Sequence, residues 1–197
     1  MKLRVGYIKA GTRALGPGNR FVIWTQGCLR KCKGCASPEH QPLDGGYLVD
    51  TKELSDQICS CRSIDGITIS GGEPFLQAQA LTNLLNGVSK VRPELTVLVF
   101  TGNKLEELTD LDSKAFLGKI DLLIDGEYIP ELNDGKGLRG SCNQRFHFLT
   151  ERLANYRYEF ENGERKAEIY WTDKKRQRMV KIGVPSPYKS FSSSHNH

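Results

Sequence analysis

No stretch of this 197-residue chain is apolar for long enough to form a signal peptide or a membrane span, the N-terminal run Met1-Lys2-Leu3-Arg4-Val5-Gly6-Tyr7 included, so a secreted or membrane-spanning protein is not expected. In that setting six cysteines read as reduced thiols, and the expected location is cytoplasmic. Histidine is scarce: of four in the chain, His195 and His197 lie in the polar run Ser190–His197, where neither a metal ligand nor a base is expected. That run has no periodicity, so residues 186–197 are expected to be a disordered tail behind a single domain of residues 1–185. There is no internal repeat. Neither sign of charge dominates, with 28 basic against 23 acidic side chains and a net charge of +5. The densest basic run, Lys174-Lys175-Arg176-Gln177-Arg178, carries no interleaved aromatics on which a nucleic-acid strand could stack, and reads as a solvated hairpin turn. With 38% hydrophobic content, the length suits one α/β domain with its own core.

Against this background Cys28-Leu-Arg-Lys-Cys32-Lys-Gly-Cys35 stands out, with three thiols in eight residues and no fourth cysteine nearby. Three local thiolates on a four-iron cubane leave one iron free for a substrate, the pattern of a catalytic rather than a structural metal site. Gly27 and Gly34 let the backbone wrap closely around the sulfurs. Arg30, Lys31 and Lys33 put positive charge beside an anionic cluster, which raises its reduction potential. A zinc knuckle completed by a distant ligand is the alternative, although its usual paired spacing is missing. A disulfide fits less well, since the thiols lie too close together to pair independently.

Hydropathy alternates between strands and helices. Strands are expected near Leu3–Ile8, over Phe21–Gln26, Gly66–Ser70, Leu95–Phe100 and Ile120–Ile124. Helices are expected after Asp50 through Leu54 and Ile58, along Leu81, Leu84, Leu85 and Val88, and along Leu105, Leu108 and Leu111. That order implies a parallel sheet with right-handed crossovers. The cysteines, Gly71-Gly72-Glu73-Pro74, Thr101-Gly102 and Asp125 then all fall at carboxyl ends of strands, the edge on which such sheets build their sites. Gly71 and Gly72 expose backbone to a ligand, Pro74 starts a helix, and Glu73 is held where a cation can meet it. As alternatives, each of these glycine signatures can be plain turn chemistry.

Cys28, Cys32 and Cys35 together with Gly71–Pro74 resemble the radical S-adenosylmethionine superfamily. Gly16-Pro-Gly-Asn-Arg20, Pro38-Glu39, Val99–Gly102 with Glu106–Leu108, Ile124–Gly126 with Leu132–Asp134, and Arg139-Gly-Ser-Cys-Asn-Gln144 narrow the likeness to the short activating enzymes of anaerobic ribonucleotide reductase. The resemblance implies an α/β fold of the partial (β/α) barrel type with a short C-terminal β extension. It implies a [4Fe-4S] cluster on Cys28, Cys32 and Cys35, and S-adenosyl-L-methionine against Gly34, Cys35, Ala36, Gly71, Gly72, Glu73, Pro74, Thr101 and Asp125, with no catalytic side chain beyond cluster and cofactor. The implied reaction is reductive cleavage of the cofactor, after which hydrogen is abstracted from a glycine of the partner reductase. An electron donor such as flavodoxin is implied too. The segment Glu127–Arg145 is expected to face the partner and to order on binding it. Asn103 and Cys142 depart from the family pattern, which commonly has an aromatic residue and a serine there.

Two other functions remain open on sequence. One is a radical enzyme acting on a small molecule or peptide, similar to 7-carboxy-7-deazaguanine synthase or a peptide maturase; the other is a non-enzymatic iron–sulfur or zinc protein. Cys59, Cys61 and Cys142 read as packing or incidental residues. Replacing any one of Cys28, Cys32 or Cys35 by Ala is therefore expected to abolish cluster absorbance after anaerobic reconstitution, whereas variants lacking Cys59, Cys61 or Cys142 keep it. Loss of the cluster from a Cys142 variant would show the ligand set to be wrong.

Overall fold

The computed structural model describes residues 1–171, 179–185 and 187. Seven strands form its main sheet: β1 (Lys2–Thr12), β2 (Arg20–Thr25), β3 (Tyr47–Asp50), β4 (Gly66–Gly71), β5 (Thr96–Phe100), β6 (Leu122–Asp125) and β7 (Arg145–Phe148), in the spatial order β3-β1-β2-β4-β5-β6-β7. The central four, β2, β4, β5 and β6, run parallel, with Ile23 beside Ile69, Ile67 beside Val97 and Val99 beside Leu123. β1, β3 and β7 complete the sheet by antiparallel pairing. Among the described residues the edge strands β3 and β7 do not pair with each other, so the sheet stays open and no closed barrel forms.

Alternation along each central strand supplies two cores. Phe21, Ile23, Val97, Val99 and Leu123 point to the face covered by helices α1 (Thr51–Ser60), α2 (Ala78–Val91) and α3 (Leu111–Leu117). Their neighbours Val22, Trp24, Leu98, Leu122 and Ile124 point to the concave face, as a two-residue period requires. The C-terminal part of the chain covers that second face. Leu153, Phe160 on α4 (Arg157–Asn162), and Ile182 and Val184 all bury against it. Ile182 belongs to a separate hairpin of β8 (Ala167–Trp171) and β9 (Met179–Gly183), which matches the expected β extension.

Local chemistry explains the element ends. Asp50 caps α1 by accepting from the backbone N–H groups of Lys52 at 2.9 Å and Glu53 at 3.4 Å. α2 buries Leu81, Leu84, Leu85 and Val88, the stripe seen in the sequence. The expected helix through Leu105, Leu108 and Leu111 is not one element. Leu105–Glu107 is a single 3-10 turn, and α3 starts anew after Asp110, whose carboxylate accepts from Ser113 N–H at 2.9 Å, leaving Leu111 85% exposed. The short strand β3 was not anticipated, and β1 is longer than expected. Cys61 lies just past the end of α1; it and Cys59 pack against the helix-side core, while Cys142 is exposed. The basic run 174–178 and the tail, Pro187 aside, lie outside the described residues. Among the described residues no helix is long and apolar enough to cross a membrane.

At the amino ends of the parallel strands Arg20 is fully buried. Its guanidinium donates to Thr68 Oγ1 (3.1 Å), Thr96 Oγ1 (2.6 Å), the Ile67 carbonyl (2.6 Å) and the Thr96 carbonyl (3.0 Å), binding β2, β4 and β5 together. Burial lowers its pKa to about 10, partly offset by Asp121 and Asp65, so it stays charged at neutral pH. Arg20→Met strands these acceptors in the interior, and we expect a loss of about 3 kcal/mol or more in urea unfolding. A loss below about 1 kcal/mol would mean that water replaces the guanidinium.

Candidate functional site

The cysteine loop leaves β2 at Thr25 and is pinned where it departs and returns. Gly27 N–H donates to the His40 carbonyl at 2.8 Å and Cys28 N–H to the Gln41 carbonyl at 2.9 Å. Inside the loop the Gln26 amide donates to the carbonyls of Glu39 (3.2 Å) and Pro42 (2.7 Å). The tip turns through two left-handed residues, Lys31 (φ 51°) and Gly34 (φ 67°).

The end of β4 docks directly on this loop. Gly72 N–H donates to the Thr25 carbonyl at 2.7 Å and Glu73 N–H to the Gly27 carbonyl at 2.8 Å. A Cβ at Gly71 would sit 2.5 Å from the Thr25 backbone, and one at Gly72 would sit 2.3 Å from the Gly27 carbonyl and 2.8 Å from that of His40. The nearest reason for two glycines is therefore backbone-to-backbone approach, ahead of the ligand access expected from sequence. Pro74 opens a 3-10 turn, Pro74–Gln77, which Glu73 caps through Phe75 N–H at 3.1 Å.

Glu73 is only 4% exposed. Its carboxylate accepts from Thr101 Oγ1 at 2.7 Å and from Gly102 N–H at 2.9 Å, tying the end of β4 to the end of β5. Burial raises its pKa, opposed by those hydrogen bonds and by the charge of Arg30. Arg30 crosses over Gly102 and donates to Asn103 Oδ1 (2.9 Å) and Glu107 Oε2 (3.2 Å). Asn103, where the related pattern has an aromatic residue, thus holds an arginine of the cysteine loop. Asp125 is fully buried behind this layer, accepting from Leu105 N–H at 2.7 Å and Arg145 Nε at 3.0 Å, with His147 Nε2 at 3.0 Å. Arg145 also forks onto both oxygens of Glu106 at 2.9 and 2.8 Å.

One cavity of about 570 Å³ opens on these elements, a volume in the range of small-molecule sites. Cys28, Cys32, Cys35, Ala36, Gly71, Gly72, Glu73 and Thr101 line it; Gly34, Pro74 and Asp125 do not. Trp24, Val180 and Ile182 line it too, each reading in the sequence as ordinary strand, as do Tyr128 and Gln144 of the segment expected to face the partner. Within Glu127–Arg145 the contacts are local. Gln144 Oε1 accepts from Gly140 N–H (2.8 Å) and Ser141 N–H (3.2 Å), Gln144 Nε2 donates to the Gly126 carbonyl (2.8 Å), and Arg139 pairs with Asp134 at 3.1 Å.

The thiols suit a cluster. All three line the cavity, and thiolates are the ligands that a four-iron cluster takes. Burial pushes up the Cys28 pKa, against the pull of the Arg30 and Lys31 backbone N–H groups. Burial, then the Glu127 carboxylate and the neighbouring cysteines, pushes Cys32 up to about 11. Loading metal onto such thiols releases protons. Ser37 N–H donates to Cys35 Sγ at 3.5 Å.

Residues 14–147 match the family described as a 4Fe-4S single cluster domain. The chain is 35% identical over 143 residues to the anaerobic ribonucleoside-triphosphate reductase-activating protein of Vibrio cholerae, covering 68% of this chain and 91% of that protein. The proteins of the same name from Enterobacteria phage T4 (36% over 141 residues, 69% and 88% covered) and Haemophilus influenzae (34% over 139 residues, 67% and 89% covered) are similarly related. Fold, cavity and match define a protein built around a single 4Fe-4S cluster domain. The chain belongs to the family of anaerobic ribonucleoside-triphosphate reductase-activating proteins.

Because a Cβ at residue 72 meets the cysteine loop itself, Gly72→Ala is expected to lose cluster assembly together with cofactor binding. Iron and sulfide content after anaerobic reconstitution reads this out; a full cluster with only cofactor affinity reduced would place the clash elsewhere.

Proposed function

We propose that this chain is a radical S-adenosylmethionine activating enzyme that generates a glycyl radical on anaerobic ribonucleoside-triphosphate reductase, and that its open sheet is the partial (β/α) barrel of that superfamily in a domain running to Pro185. The observation that carries this reading is the hydrogen-bonded docking of the Gly71–Glu73 turn on the three-cysteine loop, in one cavity. When bound, a [4Fe-4S] cluster and S-adenosylmethionine supply one-electron reductive cleavage and a radical able to take hydrogen from a glycine Cα.

In this reading Cys28, Cys32 and Cys35 hold the cluster and leave one iron open. Gly71 and Gly72 bring backbone beside that position and receive the cofactor's ammonium. Glu73 and Thr101 keep the ends of β4 and β5 at a constant separation, so the cofactor meets a preformed surface. Asp125 acts at one remove, through Leu105 and Arg145. Trp24, Ile182 and the other apolar lining keep water from a reactive centre. Arg30 brings positive charge to the cysteine loop, which favours taking up an electron from a donor such as flavodoxin. The names of the relatives favour an activase over the small-molecule, peptide and non-enzymatic readings.

Anaerobically reconstituted protein given S-adenosylmethionine and dithionite is expected to form 5′-deoxyadenosine, and with the reductase added, a glycyl doublet in the electron paramagnetic resonance spectrum. No 5′-deoxyadenosine rejects the enzyme. Cleavage without a protein radical on the reductase rejects the partner.

A further inference from the structure

Arg165 lies beyond the family-matched residues 14–147 and does not line the cavity, yet it makes the densest set of side-chain hydrogen bonds in this part of the fold. Its side chain is 6% exposed. Nε donates to the Gly137 carbonyl at 3.2 Å, and Nη1 donates to Asn133 Oδ1 at 2.6 Å and to the Pro185 carbonyl. Nη2 reaches the carbonyls of Arg139 (2.6 Å), Lys136 (3.2 Å) and Gly140 (3.4 Å). One guanidinium thus gathers the loop from residue 133 to 140 and the chain just past β9, which reach the cavity at Gly140 and at Pro185. The planar fork with five N–H groups is what makes this possible, and lysine could not reproduce it.

Two of the gripped residues act on one side chain. Asn133 Nδ2 donates to the Tyr128 hydroxyl at 3.2 Å while its Oδ1 is held by Arg165. Gly140, held through its carbonyl, packs closely against the Tyr128 ring, where a Cβ would stand 2.8 Å from Cδ2. The ring itself faces the cavity and borders the cysteine loop at Gly34. With the cysteines and Gly71–Glu73 suited to the amino-acid end of the cofactor, an aromatic side chain lining the same cavity suits its purine.

We propose that Arg165 is a positioning residue of the cofactor cavity, holding Tyr128 as the face on which the adenosyl group of S-adenosylmethionine rests. This rests on the reading of the cavity as the cofactor site. It also makes part of the site depend on a residue outside the family-matched residues 14–147.

The test is a double-mutant cycle on the reconstituted full chain, read as the dissociation constant for S-adenosylmethionine by titration. Tyr128→Ala and Arg165→Ala are each expected to weaken binding about tenfold, the weight of one base on an aromatic ring. The double variant is expected to be no weaker than either alone. Iron content stays at the parent level, because the backbone of the cysteine loop is held by Glu73, His40 and Gln41. A second readout needs no cofactor: with fluorotyrosine incorporated, the Tyr128 resonance is expected to shift in Arg165→Ala. Additive losses, unchanged affinity or an unmoved resonance would overturn the proposal. Failure of the parent to bind S-adenosylmethionine would overturn the cofactor reading and this one with it, whereas binding by the parent with no effect of the variants overturns this one alone. If Arg165→Ala does not fold, Asn133→Ala, which frees the Tyr128 hydroxyl, is held to the same outcomes.

Discussion

Everything at the carboxyl edge of the sheet depends on one close approach, that of the end of β4 to the cysteine loop. Two peptide hydrogen bonds, from Gly72 to Thr25 and from Glu73 to Gly27, make it, and they form only because neither glycine carries a Cβ. A loop bearing three thiols gains little stability of its own, since its thiol groups cannot be buried against apolar partners and still remain available to metal. Docking on a strand of the main sheet gives it a fixed base. The loop's own pairing to His40 and Gln41 then determines where the thiols lie.

Charge extends this base outward. Glu73 bridges β4 to β5, Arg30 bridges the cysteine loop to Asn103 and Glu107, and Asp125 with Arg145 holds the turn that carries Glu106 and Glu107. Buried carboxylates are costly unless their oxygens are filled. Here each is filled by groups from a neighbouring strand end, so the cost of burial is met by contacts that also align the strands. Arg20 does the same at the opposite edge, where it joins three strands through threonine hydroxyls and carbonyls.

The site was more legible than the fold around it. Cysteine spacing and a Gly-Gly-Glu-Pro turn report chemistry through residue identity, and short β-forming runs, Phe21–Trp24 and Ile67-Thr68-Ile69, stand before them, so their placement on one edge followed from local reading. Three kinds of information were not local. Leu105, Leu108 and Leu111 have helical spacing, but Asp125 and Asp110 divide them by claiming backbone N–H groups on either side. The role of Asp125 behind the cavity rather than in it depends on Arg145, twenty residues on. The cover of the concave face by Phe160, Ile182 and Val184 needs the whole chain to be folded before it can be seen, since β8 and β9 read as any amphipathic hairpin.

That cover has a consequence in time. A chain emerging from the ribosome presents Cys28, Cys32 and Cys35 early, and Val180 and Ile182, which shut the far side of the cavity, about 150 residues later. The loop is in place only once Glu73 has been made, about 110 residues before Ile182, and at ~5–20 residues per second this leaves roughly 5–20 s in which it can sit on its sheet with one wall still missing. During synthesis the future site is a ledge rather than a chamber, open to whatever delivers iron and sulfide and closed only by segments made well after the thiols.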